Sequence, residues 1–237
     1  MQAFRSLLFS IIMMFNTILL AIASGLLIFF PFPVRSRYIK LYPIFNIWIL
    51  RLICGVRFEV KGTENLPDDQ TYIIFSNHQS TWETFAYQLI FPPITFVVKK
   101  ELIYVPLFGW ALALLKPIAI DRSAGRAAIK QLINQGIDRL KEGIIVVIFP
   151  EGTRISPDKK LEYKKGGAIL AEKSGYPVVP VAHNAGYYWP KRGFFKKRGV
   201  ITVHIGKPII TKGRKAQTIM DEAESFIRSH TEPAHYD

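Results

Sequence analysis

A histidine followed five positions later by a carboxylate, in Phe75-Ser76-Asn77-His78-Gln79-Ser80-Thr81-Trp82-Glu83, is the part of this chain best suited to acid–base chemistry. Five helical residues turn through about 500°, so His78 and Glu83 cannot share a face of a straight helix. A strand ending at Asn77 and a helix starting near Ser80 supply the bend that lets Glu83 reach back to the imidazole. A carboxylate so placed holds the ring tautomer, stabilises the imidazolium and leaves the other nitrogen as a general base. The same residues carry a second meaning, because Ser80-x-x-Glu83 is a capping box that satisfies backbone donors at a helix start. Both meanings stay open at this level.

The segment Phe149-Pro150-Glu151-Gly152-Thr153-Arg154 follows an apolar strand candidate and therefore emerges at a strand's carboxyl end, where open α/β sheets place ligands. Gly152 permits close backbone approach, Thr153 offers a hydroxyl, and Arg154 can hold a phosphate through two parallel bonds. Asp121-Arg122 is a weaker second case, for which an ordinary surface ion pair is the alternative.

Together these segments resemble the glycerolipid acyltransferase family. The likeness rests on Asn77-His78 through Glu83, on Lys116-Pro117-Ile118-Ala119-Ile120-Asp121-Arg122, on Phe149 through Arg154 and on Val179-Pro180-Val181, in that order. Lys99-Lys100-Glu101-Leu102, ahead of Pro106 and Gly109, is also similar to the family. The resemblance spans about residues 56 to 210. It implies that His78 deprotonates an acceptor hydroxyl, which attacks the thioester of acyl-CoA or acyl carrier protein. Glu83 stands where the family usually has aspartate. The resemblance further implies that Glu151, Gly152, Thr153 and Arg154 bind the acceptor's glycerol phosphate, with Arg122 and Lys100 completing a cationic pocket. The implied reaction acylates the sn-2 hydroxyl of 1-acyl-glycerol-3-phosphate to give phosphatidic acid. Another lysophospholipid or a lyso-aminolipid as acceptor, or a non-catalytic protein that binds anionic lipid, are the alternatives.

The elements that must position these residues follow from hydrophobic patterning. Short apolar runs mark strands at Arg57 to Lys61, Tyr72 to Ser76, Thr95 to Val98, Ile118 to Ile120, Ile144 to Phe149, Val178 to Ala182 and Val200 to Ile205. Helical periodicity marks Trp82 to Ile90, Leu107 to Leu115, Ala124 to Leu140, Gly166 to Ser174 and Ala216 to Ser229. The alternation predicts an α/β fold, a single mixed sheet flanked by helices, with a membrane-associated helical segment at residues 1–55 and the α/β domain at 56–237.

Leu7 to Phe30 is a run of 24 residues in which only Ser10, Asn16, Thr17 and Ser24 are polar. As a helix it measures about 36 Å, against a hydrocarbon core of about 30 Å. A cleavable secretory signal is the rival, given Arg5 and Ala21-Ile22-Ala23, but the run continues past that point. If it spans, the positive-inside rule sets Arg5 on one side against Arg35, Arg37, Lys40 and Arg51 on the other, with the body on the cytoplasmic face of the inner membrane. Leu41 to Ile53 is too short to cross and reads as an interfacial helix or half of a membrane-dipping hairpin, with Trp48 at headgroup level, or else as an ordinary core helix. Deleting residues 1–55 is then expected to release a soluble domain.

Composition narrows the chemistry further. With 49% hydrophobic residues the chain can bury a large core, and its net charge of +13 asks for a polyanionic partner. Between Lys173 and Met220 there are ten basic residues and no acidic one, interleaved with Tyr187, Tyr188, Trp189, Phe194 and Phe195. Such a pattern suits anionic lipid or single-stranded nucleic acid, with a plain solvated loop as the alternative, and the membrane segment together with the lack of any nucleic-acid-binding signature favours lipid. The single cysteine, Cys54, excludes a disulfide framework, and no H-E-x-x-H pattern points to zinc. Thioester acyl transfer needs a placed alcohol, a base and charge stabilisation, so no metal or redox cofactor is expected. His183 and His204, inside strand candidates, read as structural.

Overall fold

A computed structural model describes residues 1–27, 29–91, 93–106 and 108–231. Three helices come first: α1 (Gln2–Leu27), α2 (Phe32–Ile39) and α3 (Leu41–Ile49), the last continuing as a wide helical turn over Leu50–Cys54. There follow β1 (Val56–Lys61), β2 (Ile73–Ser76), α4 (Trp82–Ile90), β3 (Ile94–Lys99), α5 (Phe108–Ala113), β4 (Ile118–Ile120) and α6 (Arg126–Lys141). The chain continues through β5 (Ile145–Ile148), α7 (Gly166–Ser174), β6 (Val178–His183), α8 (Ala185–Tyr188), β7 (Gly199–Ile205) and α9 (Ala216–Ser229). Leu107, the expected start of α5, lies outside the described residues, as does Ile28 within the expected apolar run.

The seven strands form one sheet in the order β1-β7-β6-β2-β5-β3-β4. From β6 to β4 neighbours run parallel, whereas β7 pairs antiparallel with β6 and parallel with β1, so the sheet is mixed. Each central strand is apolar on both faces because both faces are covered. Ile73, Phe75, Val146, Ile148, Val178 and Ala182 pack with α6, α7 and α9. Ile74, Val147, Val179 and Val181 join a second cluster that holds Trp82 and Phe85 of α4, Phe9 of α1 and Ile47 and Ile49 of α3. On α9 the i, i+4 stripe Ile219, Ala223 and Ile227 is buried, as the periodicity demands.

The α1 helix is long and apolar enough to cross a membrane, yet it is docked on the body along its length. Near its start Phe9 meets Trp189 edge to face at 5.3 Å, Cys54 Sγ donates to the Arg5 carbonyl at 3.7 Å, and the Lys196 backbone N–H donates to Ser6 Oγ at 2.9 Å. Further on, the Thr17 and Tyr42 hydroxyls bond at 2.7 Å, and beyond its end Phe32 lies 5.0 Å from the Lys116 ammonium. Ser6, Ser10, Thr17 and Ser24 thus face inward or bond their own helix, while Phe4, Leu7, Ile11, Phe15, Ile18, Ile22 and Leu26 stay exposed. An outward apolar face of this extent, continued by Trp48 and Leu52, marks a membrane-associated surface.

Two expectations change. Arg5 stands beside Cys54 and Lys196 against the α/β body, so the division by charge that put Arg5 across the membrane from the body does not hold. Residues 1–55 also share a hydrophobic cluster with the strands and α4, which bears against the soluble release expected from their deletion.

Candidate active site

Strands β2, β5 and β6 are adjacent and parallel, and their carboxyl ends bring together the three segments that carry the chemistry. After β2 the chain turns through Asn77–Thr81 and enters α4, which supplies the bend the His78–Glu83 spacing requires. The His78 Nδ1 lies 2.7 Å from Glu83 Oε1. That same oxygen accepts the backbone N–H groups of Gln79 at 3.0 Å and Ser80 at 2.8 Å, and Ser80 Oγ accepts from the Trp82 N–H at 3.1 Å. Glu83 therefore caps the helix and orients the imidazole at once, and the two meanings of the sequence are one structure.

Glu83 is fully buried. Burial, the largest influence, pushes its pKa upward, but the two imidazoles of His183 and His78 and the Ser80 N–H outweigh it and hold the carboxylate below its ordinary value. An ionised Glu83 accepts Nδ1–H, so the Nε2 lone pair of His78 is the one that faces the cavity.

The loop after β5 grips His78 from the other side. Glu151 Oε2 accepts the His78 backbone N–H at 2.6 Å, the Ile155 N–H donates to the His78 carbonyl at 2.8 Å, and the Phe149 ring stacks on the imidazole at 4.1 Å. The Glu151 side chain is turned inward and buried, where the sequence reading placed it on the acceptor's phosphate. Desolvation raises its pKa to about 8, so near neutrality the carboxyl is largely uncharged. Gly152 takes φ +70, and its carbonyl accepts Arg122 Nη1 at 2.6 Å; a Cβ there would meet Lys164 Nζ at 2.9 Å. Arg154 Nη1 donates to Thr81 Oγ1 at 2.7 Å, while Thr153 is exposed.

A cavity of about 290 Å³ opens beside His78. Arg122, Lys164 and Lys165 stand on its polar side, with Gly166 and Gly167 at the positively polarised start of α7. Val97, Ile120, Ile129, Leu132, Ile148 and Phe149 make its apolar wall. Lys100 does not line it; this residue is exposed after β3, near enough to Asp121 to act on its charge. The alternative of an Asp121–Arg122 ion pair is not formed: Asp121 bonds Ser123, and Arg122 reaches across to Gly152.

Sequence reasoning missed two contributions. Lys164 and Lys165 lie in an unremarkable basic run, and nothing in that run says they face His78. His183, read as structural, is buried directly behind Glu83. Its Nδ1 accepts the Ala185 N–H at 3.2 Å, so Nε2 carries the proton and donates to the Asn77 carbonyl at 3.0 Å. The Asn77 side chain bonds the His183 backbone in both directions, at 2.8 and 3.1 Å. Nε2 also stands 3.9 Å from Glu83 Oε2, a buried oxygen with no hydrogen-bond partner.

Known proteins resemble this chain in sequence and in fold. A curated 1-acyl-sn-glycerol-3-phosphate acyltransferase of Pseudomonas aeruginosa is 46% identical over 235 residues, covering 95% of this chain and 90% of the relative. A protein of the same name from Saccharomyces cerevisiae is 39% identical over 74% of this chain and 59% of its own length. The crystal structure of PlsC, the 1-acyl-sn-glycerophosphate (LPA) acyltransferase of Thermotoga maritima, superposes with a TM-score of 0.77 at 26% identity, covering 97% of this chain and 95% of that one. The family model described as Acyltransferase matches residues 57–184, a span that takes in His78, Glu83 and the whole loop that grips them. On this match, which covers more than half of the sequence, the chain belongs to the acyltransferase family.

Proposed function

We propose that the protein transfers a fatty acyl group from a thioester, acyl-CoA or acyl carrier protein, to the sn-2 hydroxyl of 1-acyl-glycerol-3-phosphate, giving phosphatidic acid. The observation that carries this reading is a single one: a carboxylate-backed imidazole whose free nitrogen opens on a cavity with cations on one side and apolar walls on the other. The names of the relatives in Pseudomonas aeruginosa and Saccharomyces cerevisiae support the same acceptor.

His78 Nε2 takes the proton of the acceptor hydroxyl as its oxygen attacks the thioester carbonyl, and Glu83 stabilises the imidazolium that forms. The tetrahedral adduct collapses by breaking the C–S bond, and the imidazolium returns the proton to the departing thiolate. The acceptor's phosphate lies against Arg122, Lys164 and Lys165, whereas Arg154, bonded to Thr81, and Lys100 stand outside the cavity lining. Gly152 and Thr153 contribute backbone approach and a hydroxyl. Glu151 acts on His78 rather than on phosphate, and its neutral form spares the anion a repulsion. The apolar wall accepts acyl chain. No step calls for a metal or redox cofactor. The body works at the cytoplasmic face of the inner membrane; the outward apolar face of α1 and the net charge of +13 support its lying on an anionic membrane surface.

The test is acyl transfer by protein purified in detergent, offered lysophosphatidic acid with each thioester donor in turn. Wild type should form phosphatidic acid, and His78→Ala should lose at least about a hundredfold in kcat, the usual contribution of a general base. Unchanged turnover in His78→Ala would remove the proposed base.

A further inference from the structure

Where the start of α1 meets the segment leading into β7, Gln2, Arg5, Cys54, Lys196, Lys197 and Arg198 enclose a second cavity of about 280 Å³. It shares no lining residue with the cavity at His78. Because β7 runs antiparallel to β6 and β1 parallel to β7, the starts of β1 and β7 lie at the same edge of the sheet as the end of β6 at His183. The two cavities therefore open along one edge, on different strands.

The second cavity has a built floor. Lys196 is only 5% exposed, and its ammonium donates to Ser10 Oγ at 3.0 Å and to the Phe194 carbonyl at 2.9 Å, beside the rings of Phe9 and Trp189. The stem of Arg198 packs on Gly55, where a Cβ would meet it at 3.0 Å. Arg5, Lys197 and Arg198 are exposed, and none forms an ion pair among the described residues. Four cations around one cavity repel one another, and a bound anion relieves that repulsion. Exposed apolar groups stand next in sequence to the lining residues, Phe4, Leu7 and Leu8 around Arg5 and Phe194 and Phe195 before Lys196, and this rim points to the anion's carrier. A free phosphate gains nothing from that rim, and nucleic-acid bases, which stack on aromatic rings, gain nothing from its leucines. A phospholipid places its phosphate among the cations and its chains on the rim.

We infer that this cavity binds the phosphate headgroup of an anionic phospholipid that is held there without reacting. Such a lipid pins the corner of the sheet next to the active-site edge to the membrane surface. This inference stands apart from the proposed reaction, since its readout is lipid binding and not acyl transfer.

Native mass spectrometry of the full-length protein, purified in neutral detergent and supplied with phosphatidylglycerol, tests it. Wild type should retain one lipid, and Lys197→Ala/Arg198→Ala should weaken retention at least about tenfold, the scale of charge-assisted hydrogen bonds. Lys191→Ala/Arg192→Ala removes equal charge from the same segment outside the cavity and should retain the lipid. Matching melting temperatures verify that both variants are folded. Equal loss in the two variants would overturn the site in favour of diffuse attraction. Displacement of the lipid by inorganic phosphate as readily as by a short-chain phosphatidylglycerol would overturn the lipid assignment.

Discussion

Glu83 spends one oxygen on three donors, and this makes the position intolerant of a shorter acid. Aspartate withdraws the carboxylate by one C–C bond, about 1.5 Å, which cannot preserve contacts of 2.7 Å to His78 and 2.8 Å to Ser80 together. Glu83→Asp is expected to lower kcat by about tenfold or more, each tenfold being 1.4 kcal/mol of barrier. It should also cost about 1 kcal/mol of stability through the weakened cap; steady-state kinetics and denaturant unfolding measure the two. His183 fills the space behind Glu83 and fixes Asn77, so His183→Ala should depress kcat while leaving KM for the lysolipid nearly unchanged. Glu151 sets a pH dependence. Its folded pKa of about 8 exceeds the ordinary 4.5, so the folded state binds the extra proton. The stability this contributes is complete below pH 4.5 and is lost as pH rises toward about 8. Glu151→Gln keeps an acceptor for the His78 N–H without the titration, and should flatten both the stability curve and the alkaline limb of the rate profile across that window. An alkaline limb identical to wild type would assign it to another group.

Among the elements, α7 deserves the closest mechanical scrutiny because its first turn lines the active-site cavity. It is held against α6 at Gly136, where a Cβ would come within 2.6 Å of Leu170 Cδ2. Helix propensity alone says that Gly136→Ala stabilises by about 1 kcal/mol, whereas overpacking costs about 1–3 kcal/mol. The buried contact should win, giving net destabilisation in denaturant unfolding. All seven strands and seven of the helices were legible in the sequence, because apolar runs bounded by polar turns leave few other solutions. The four-residue α8 was not, being too short for any periodicity, and α2 carries Pro33 in its first turn and little pattern. The site was legible as far as His78, Glu83 and the loop at 149–154. What stayed hidden depends on strand order: Asn77 meets His183 across 106 residues only because β2 pairs with β6, and Glu151 turns inward only because β5 lies on the other side of β2.

At the scale of the whole molecule, the N-terminal helices serve the fold as well as the membrane. Phe9, Ile47, Ile49 and Leu50 are buried against Phe85 and Trp189. Removing residues 1–55 strips that cover and leaves a large aromatic face in water. The truncated chain should aggregate or unfold instead of yielding the soluble domain expected from sequence, as size-exclusion chromatography of the purified fragment would report; a stable monomer would contradict the shared core. The grip on His78 by the loop after β5 also has a consequence in time. Synthesis finishes α1 by residue 27, but Ile155 and Glu151, which fix the base from behind, come more than a hundred residues later. At about 5–20 residues per second the interval is on the order of ten seconds. A nascent chain thus has its apolar helix complete well before it owns a working base.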